Sequence, residues 1–183
     1  MVLFPVFLKL AGRRVLVVGG GPVAASKLRA LIDAGAHITV VAPDIVDQVT
    51  ATRVKIERRE FVDTDLDGVW LVVAAATPDV NRQVAAAAEA RRVFVNAVDD
   101  VRNASAYLGG VVRRDGVTVA ISTDGAAPAL AGLLREGIDA MLPHDLDAWM
   151  TRARETRQDW QTRGVPMAAR RPLLLEALVE LYR

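Results

Sequence analysis

The run VFVNAVDDVRN, residues 93–103, is apolar until it reaches two adjacent carboxylates, Asp99 and Asp100. Neighbouring carboxylates repel, and one held in a partly dry cleft has a raised pKa suited to moving a proton at neutral pH. Taken alone, the pair leaves open which of Asp99 and Asp100 would do chemistry. Loop capping is the plainer alternative for Asp99. Asn96 is expected to order the loop. With no cysteine and only His37 and His144, thiolate nucleophiles, Cys-ligated zinc and histidine clusters drop out. Acid–base work falls to carboxylates, Lys, Tyr, Ser and Thr, and no metal ligand set is expected.

The second chemical pattern is G-x-G-x-x-A, formed by Gly19, Gly21 and Ala24 between an apolar run and a helical one. In a strand–turn–helix setting the first glycine allows the tight turn. The second lets a pyrophosphate approach the backbone, and the small third residue lets the helix pack closely on the strand. The helix N-terminus then presents free N–H groups to the phosphates. The expected cofactor is NAD, with Gly19, Gly21, Pro22, Val23, Ala24, Asp44 and Thr77 as cofactor-binding residues. Asp44 is the nearest acid after the second strand and would read the ribose, with a helix N-cap as its alternative. No arginine directly follows it to hold a 2′-phosphate, which favours NAD over NADP.

The elements that must position these residues follow from periodicity. RRVLVV, HITVVAP, VKIERREF, GVWLVVAAA and VFVNAV read as strands, VKIERREF as a half-exposed one. PVAASKLRALIDAGA and TPDVNRQVAAAAEARR read as helices, and a short helix is expected over DIVDQVTA. Alternation of this kind predicts a parallel sheet of Rossmann type in an α/β fold. The N-terminal stretch MVLFPVFLKLAGRR is expected to form an edge strand. Beyond residue 110 the pattern changes. Two strands flank an Arg-Asp-Gly turn, a helix starts near Pro128, and helices follow from Pro143. The expected divisions are 1–110, a nucleotide domain; 111–143, a small α+β segment; and 144–183, a C-terminal helical domain.

Composition bounds the partners. Lys and Arg total 23 against 22 acids, so bulk charge does not favour nucleic acid. No apolar run approaches the ~20 residues of a membrane span, and the N-terminus lacks the pattern of a signal peptide. A cytoplasmic protein is expected. Six arginines between residues 151 and 171, beside Glu155 and Asp159, form either a solvated helix face or a patch for a carboxylate-rich ligand.

Four stretches together, FPVFLKLAGRRVLVVGGGPVAASKLRALIDAGAHITVVAPD, AAATPDVNRQVAAAAEAR, VNAVDD and VAISTDGAAPALAGLLRE, resemble the precorrin-2 dehydrogenase/sirohydrochlorin ferrochelatase family of siroheme biosynthesis. The resemblance runs from about residue 4 to residue 143. It implies an oxidoreductase that converts the tetrapyrrole precorrin-2 to sirohydrochlorin with NAD. Many members are also lyases that insert ferrous iron. It further implies a homodimer held by the segment 111–143, and an essential aspartate in the motif that reads VNAVD here, at Asp99. Ser122, Thr123 and Asp124 stand where the family has a Ser-Ser/Thr-Gly-Gly run, and are the expected substrate-binding residues; as an alternative, Thr123 or Asp124 caps the following helix. Two departures stand out. ASAYLGG, residues 104–110, replaces a Cys-Asp-Phe-x-Phe-Pro run, with Ser105 at the acid's place, and Asp124 replaces a glycine. These departures keep two other readings open: a dinucleotide-sensing regulatory module, and a paralogue that binds NAD without tetrapyrrole turnover.

Overall fold

The computed structural model describes residues 3–98 and 100–183 and divides into two compact units, Met1–Leu108 and Gly109–Arg183. The first unit is built on five parallel strands: β1 Arg14–Val18, β2 His37–Val41, β3 Lys55–Glu57, β4 Leu71–Ala74 and β5 Phe94–Ala97. Their spatial order is β3-β2-β1-β4-β5. The order reverses between β1 and β4, which is where open parallel sheets bind ligands beyond their carboxyl ends.

Period-two alternation on β1 sends residues to two separate cores. Leu16 and Val18 join Val41, Val72, Ala74, Val95 and Ala97 on one face. Helix α3, Pro78–Arg91, covers that face through Val84, Ala87 and Ala88. Val15 and Val17 join Ile38, Val40, Leu71 and Val73 on the other face. Helix α1, Pro22–Asp33, covers it with Ala24, Leu28 and Leu31. Both helices start with proline, where the missing N–H costs nothing. α1 stops at Gly35, whose φ of +71° suits a residue without Cβ. Full burial of β4 on both faces explains its unbroken apolar run.

Three local expectations need correction. Residues 3–10 form no strand: Phe4 and Phe7 are exposed and only Leu10 enters the core. An apolar run does not make a strand without a sheet edge to pair with. The helix expected over residues 44–51 is only α2, Asp47–Thr50, capped by Val46, so Asp44 is not its N-cap. Helix α4, Pro128–Met141, is capped by Ala127 without a side-chain bond, so neither Thr123 nor Asp124 serves as its cap.

The second unit opens with an antiparallel hairpin, β6 Gly110–Arg114 and β7 Val117–Ile121. Its two-residue turn is Asp115–Gly116, with φ of +48° and +85°, the geometry that an Asp-Gly pair favours in tight hairpins. A Cβ on Gly110 would lie 3.0 Å from the Ala131 carbonyl, so α4 sits close over the hairpin. Arg114 pins it there, donating to Asp139 at 2.6 Å and to the Leu142 carbonyl at 3.1 Å. Helices α5, Leu146–Thr162, and α6, Met167–Val179, follow. Trp160 is buried, and the Trp149 indole donates to the Tyr182 hydroxyl. The expected segments 111–143 and 144–183 both fall inside this unit.

Candidate functional site

Three loops meet at the carboxyl ends of β1, β2 and β4. The glycine loop after β1 is the centre. Its N–H at Gly19 donates to the Val41 carbonyl at the end of β2. Gly19 has φ +118°, and a Cβ there would stand 2.3 Å from the Ala75 carbonyl oxygen beyond β4. A Cβ on Gly20 would stand 2.1 Å from the Asp44 carbonyl oxygen beyond β2. A Cβ on Gly21 would meet nothing within 4 Å. Two glycines are thus pressed into the fold, and the third borders open space.

The space borders a helix end. Gly21 is the N-cap of α1, with no side-chain capping bond, and its carbonyl accepts from Ala25. Pro22 has no N–H, and the amides of Val23 and Ala24 precede the first intrahelical bond. No side chain competes for these donors from the cap position. Ala24 is fully buried against the sheet, as close helix packing requires. The loop fits a dinucleotide pyrophosphate: an uncapped helix start, an open glycine, and two neighbouring glycines fixed by backbone contact.

The flanking loops bring in Asp44 and Thr77. Val46 donates to the Gly20 carbonyl at 2.9 Å, so residues 44–46 lie against the glycine loop. Asp44 is exposed there. Thr77, two residues past Ala75, is the N-cap of α3 without a side-chain capping bond. Gly19, Gly21, Pro22, Val23, Ala24, Asp44 and Thr77 therefore share one edge of the sheet.

Sequence reading missed two residues of this edge. Gly20 was unassigned, yet it makes the tightest approach. Asn81 is 5 % exposed, and its Oδ1 accepts from the Ala76 N–H at 3.0 Å. The one available signal is an amide on the otherwise apolar inward face of α3, beside Val84, Ala87 and Ala88.

Asp99 lies outside the described residues. Around it, Asp100 caps the turn Val101–Asn103 and accepts from the Asn103 side chain at 2.6 Å and backbone at 3.3 Å. The Asn103 amide holds the Asp100 carboxyl below the usual carboxylate range. The return segment then clasps β5. The Ser105 Oγ accepts from the Val95 N–H at 2.9 Å, and the N–H groups of Ser105 and Ala106 both donate to the Val95 carbonyl. Buried Asn96 donates to the Ala106 carbonyl at 3.0 Å, the ordering task expected of it. Ser105, where the related pattern has an acid, thus occupies its hydroxyl oxygen with a backbone donor.

Ser122, Thr123 and Asp124 belong to the second unit, in the turn from β7 to α4. The Ser122 Oγ accepts from the Asp124 N–H at 3.1 Å, and the Thr123 Oγ1 accepts from the Ala127 N–H at 3.3 Å. Both hydroxyls keep a proton to donate. Asp124 has φ +52° in an exposed turn.

Among the described residues no group of three or more His, Asp or Glu is placed to hold a metal ion, and no helix is long and apolar enough to cross a membrane.

Comparison with known proteins agrees with this geometry. Residues 6–110 match the family described as putative NAD(P)-binding, and residues 114–141 match the sirohaem biosynthesis protein central family. Siroheme synthase 3 of Aeromonas hydrophila is 42 % identical over 172 residues, 91 % of this chain and 37 % of that protein. Siroheme synthase 2 of Klebsiella pneumoniae is 43 % identical over 144 residues, 76 % of this chain and 32 % of that protein. The chain therefore spans about a third of the length of the relatives it matches. A solved structure titled SirC, precorrin-2 dehydrogenase, superposes with a TM-score of 0.71 at 26 % identity, covering 95 % of this chain and 88 % of that one. With the glycine loop at the sheet's switch point and a family match over more than half of its length, this protein belongs to the putative NAD(P)-binding family.

Proposed function

We propose that this chain oxidises precorrin-2 to sirohydrochlorin with NAD. The observation that carries the reading is the open Gly21 edge at the switch point of a fold that matches precorrin-2 dehydrogenase over nearly its full length. Bound at that edge, NAD supplies the hydride acceptor. The chain's own residues do the rest. Val23 and Ala24 offer backbone N–H groups to the pyrophosphate. Asp44 accepts hydrogen bonds from the ribose hydroxyls, which a 2′-phosphate would lack and repel. Thr77 borders the same edge from beyond β4. Asp99, which follows β5 in the chain, takes up the proton released as the macrocycle loses its hydride. Ser122, Thr123 and Asp124 contact the substrate, with Ser122 and Thr123 donating to its carboxylates and Asp124 facing pyrrole N–H groups.

A homodimer is part of the same reading. Among the described residues of the second unit, the buried hydrophobics are Val112, Ala131, Leu146 and Trp160. Leu130, Leu133 and Leu134 form an exposed stripe at helical spacing on α4. So small a core and so apolar a helix face suit burial against a second copy. Insertion of ferrous iron as a substrate is the narrower part of the proposal.

The test mixes the full chain with NAD and enzymatically made precorrin-2 without oxygen, and follows sirohydrochlorin absorbance. Turnover is expected, with near-complete loss in Asp99→Ala while NAD binding is retained. NAD binding without turnover in the unaltered chain would replace this reading with a sensing module or an inactive paralogue. Sirohydrochlorin with ferrous ion tests the insertion step separately.

A further inference from the structure

We infer that Asn81 is a positioning residue for the dinucleotide edge, acting through a single peptide group; the inference rests on the reading that the glycine loop binds NAD. The last ladder bond of β4 is the Ala75 N–H to the Val18 carbonyl, 2.8 Å. The next donor along the chain, the Ala76 N–H, has passed the end of the sheet and precedes helix α3. It has no strand neighbour to accept it. The Asn81 Oδ1 takes it, 3.0 Å away.

That N–H belongs to the same planar unit as the Ala75 carbonyl. A peptide group turns as a whole, so fixing its N–H fixes its C=O. The plane in question is the surface against which Gly19 lies. A Cβ on Gly19 would meet the Ala75 oxygen at 2.3 Å, the Ala75 carbon at 2.6 Å and the Ala76 nitrogen at 3.1 Å. Gly19 therefore rests on the peptide that Asn81 holds, and the glycine loop takes its shape from that contact.

Asn81 is itself fixed. Its own N–H donates to the Thr77 carbonyl at 2.9 Å, and it is 5 % exposed. A buried amide stays only where it is bonded. An apolar side chain of the same size would fill the volume and leave the Ala76 N–H without its acceptor. The 75–76 peptide could then rotate, and the amides beyond Gly21 would lose their preset alignment. Affinity depends on such preorganisation, because a loop that must order on binding gives up part of its interaction energy.

The experiment measures NAD binding by titration calorimetry on the full chain and three variants. Asn81→Leu removes the acceptor, and Asn81→Asp keeps an oxygen at the same place, near a helix N-terminus that tolerates its charge. Val84→Ala lies one turn along α3, in the core that packs on the sheet, and loosens the helix without touching the peptide bond to Asn81. Asn81→Leu is expected to weaken NAD binding about tenfold and Asn81→Asp by no more than about threefold, as loss and retention of one hydrogen bond imply. Val84→Ala is expected to bind as the unaltered chain does despite a lower melting temperature. Amide exchange at Ala76 should accelerate in Asn81→Leu alone. If Asn81→Leu does not fold, Asn81→Ser, whose hydroxyl is too short to reach, carries the same expectation. Unchanged NAD affinity in the acceptor-less variant, an equal loss in Val84→Ala, or no rescue by aspartate would overturn the inference. Absence of NAD binding in the unaltered chain would instead overturn the proposed function.

Discussion

The three consecutive glycines of the loop after β1 should separate folding from binding. Replacing each with alanine adds the same methyl group to three different surroundings. At position 20 the methyl would stand 2.1 Å from the Asp44 carbonyl oxygen, against 3.4–4 Å for ordinary contact. The loop after β2 must move by more than 1 Å to admit it. Overpacking of this kind costs roughly 1–3 kcal/mol, a fall in Tm of roughly 5–15 °C for a unit this size. At position 19 the obstacle is the Ala75 carbonyl at 2.3 Å, and φ of +118° adds backbone strain for any residue with a Cβ. At position 21 the methyl meets nothing, and φ of −84° suits any residue. The reduced freedom of the unfolded chain and the poorer N-cap nearly cancel, leaving about 1 kcal/mol or less. Gly21→Ala should therefore melt like the unaltered chain and yet bind NAD at least about tenfold more weakly, because its methyl projects where the pyrophosphate must approach. Thermal melts by circular dichroism and NAD titration decide the matter. A Gly21→Ala chain that binds NAD normally, or that melts as early as Gly20→Ala, would refute the reasoning.

Two further outcomes follow from the same structure. Asp65 accepts from Arg59 at 2.6 and 2.8 Å and from the Val62 N–H, and the Arg59 guanidinium holds its carboxyl below the usual range. A carboxylate whose pKa is lowered by folding stabilises the native state above its unfolded value, and that contribution fades as pH falls through the folded one. Asp65→Asn should lower Tm at pH 7, and the gap from the unaltered chain should begin to narrow only as pH falls below about 4 and go on narrowing as the folded carboxyl takes up its proton; a gap as wide at pH 2 as at pH 7 would refute the ion-pair origin. On α4, Leu133 is 66 % exposed, and under the proposed homodimer the unaltered chain should sediment at twice the 19.7 kDa chain mass and Leu133→Glu at that of one chain. A single-chain mass in the unaltered protein would refute the homodimer, and an undiminished mass in the variant would refute the α4 contact.

The parallel sheet and the glycine edge were legible because they rest on local rules. Spacing of small residues between a strand and a helix, and two periodicities alternating along the chain, needed no knowledge of distant contacts. What escaped reading depends on contacts between remote positions. Nothing in the sequence ties Gly20 to Asp44, 24 residues on; only the register of β1 beside β2 brings them together. Asn81 reads as one polar residue in a helix until β4 delivers the Ala76 amide to it. Residues 3–10 carry enough apolar side chains for a strand, but strand formation is a property of pairs, and no sheet edge receives them. The segment 104–110 departs from the related pattern in side-chain identity, which is all that a sequence displays. In the fold the Ser105 hydroxyl accepts the Val95 N–H, a contact with β5 that the sequence alone does not reveal.

That clasp also bears on how copies of the chain can meet. An outermost strand with free amides and carbonyls is a template on which another sheet can grow. On β5, Val95 turns both of its backbone groups toward residues 105 and 106, while at the opposite border β3 is only three residues long. Neither rim offers a long ladder for a neighbour to extend. Growth of the parallel sheet into a continuous intermolecular one is therefore discouraged along both of its rims.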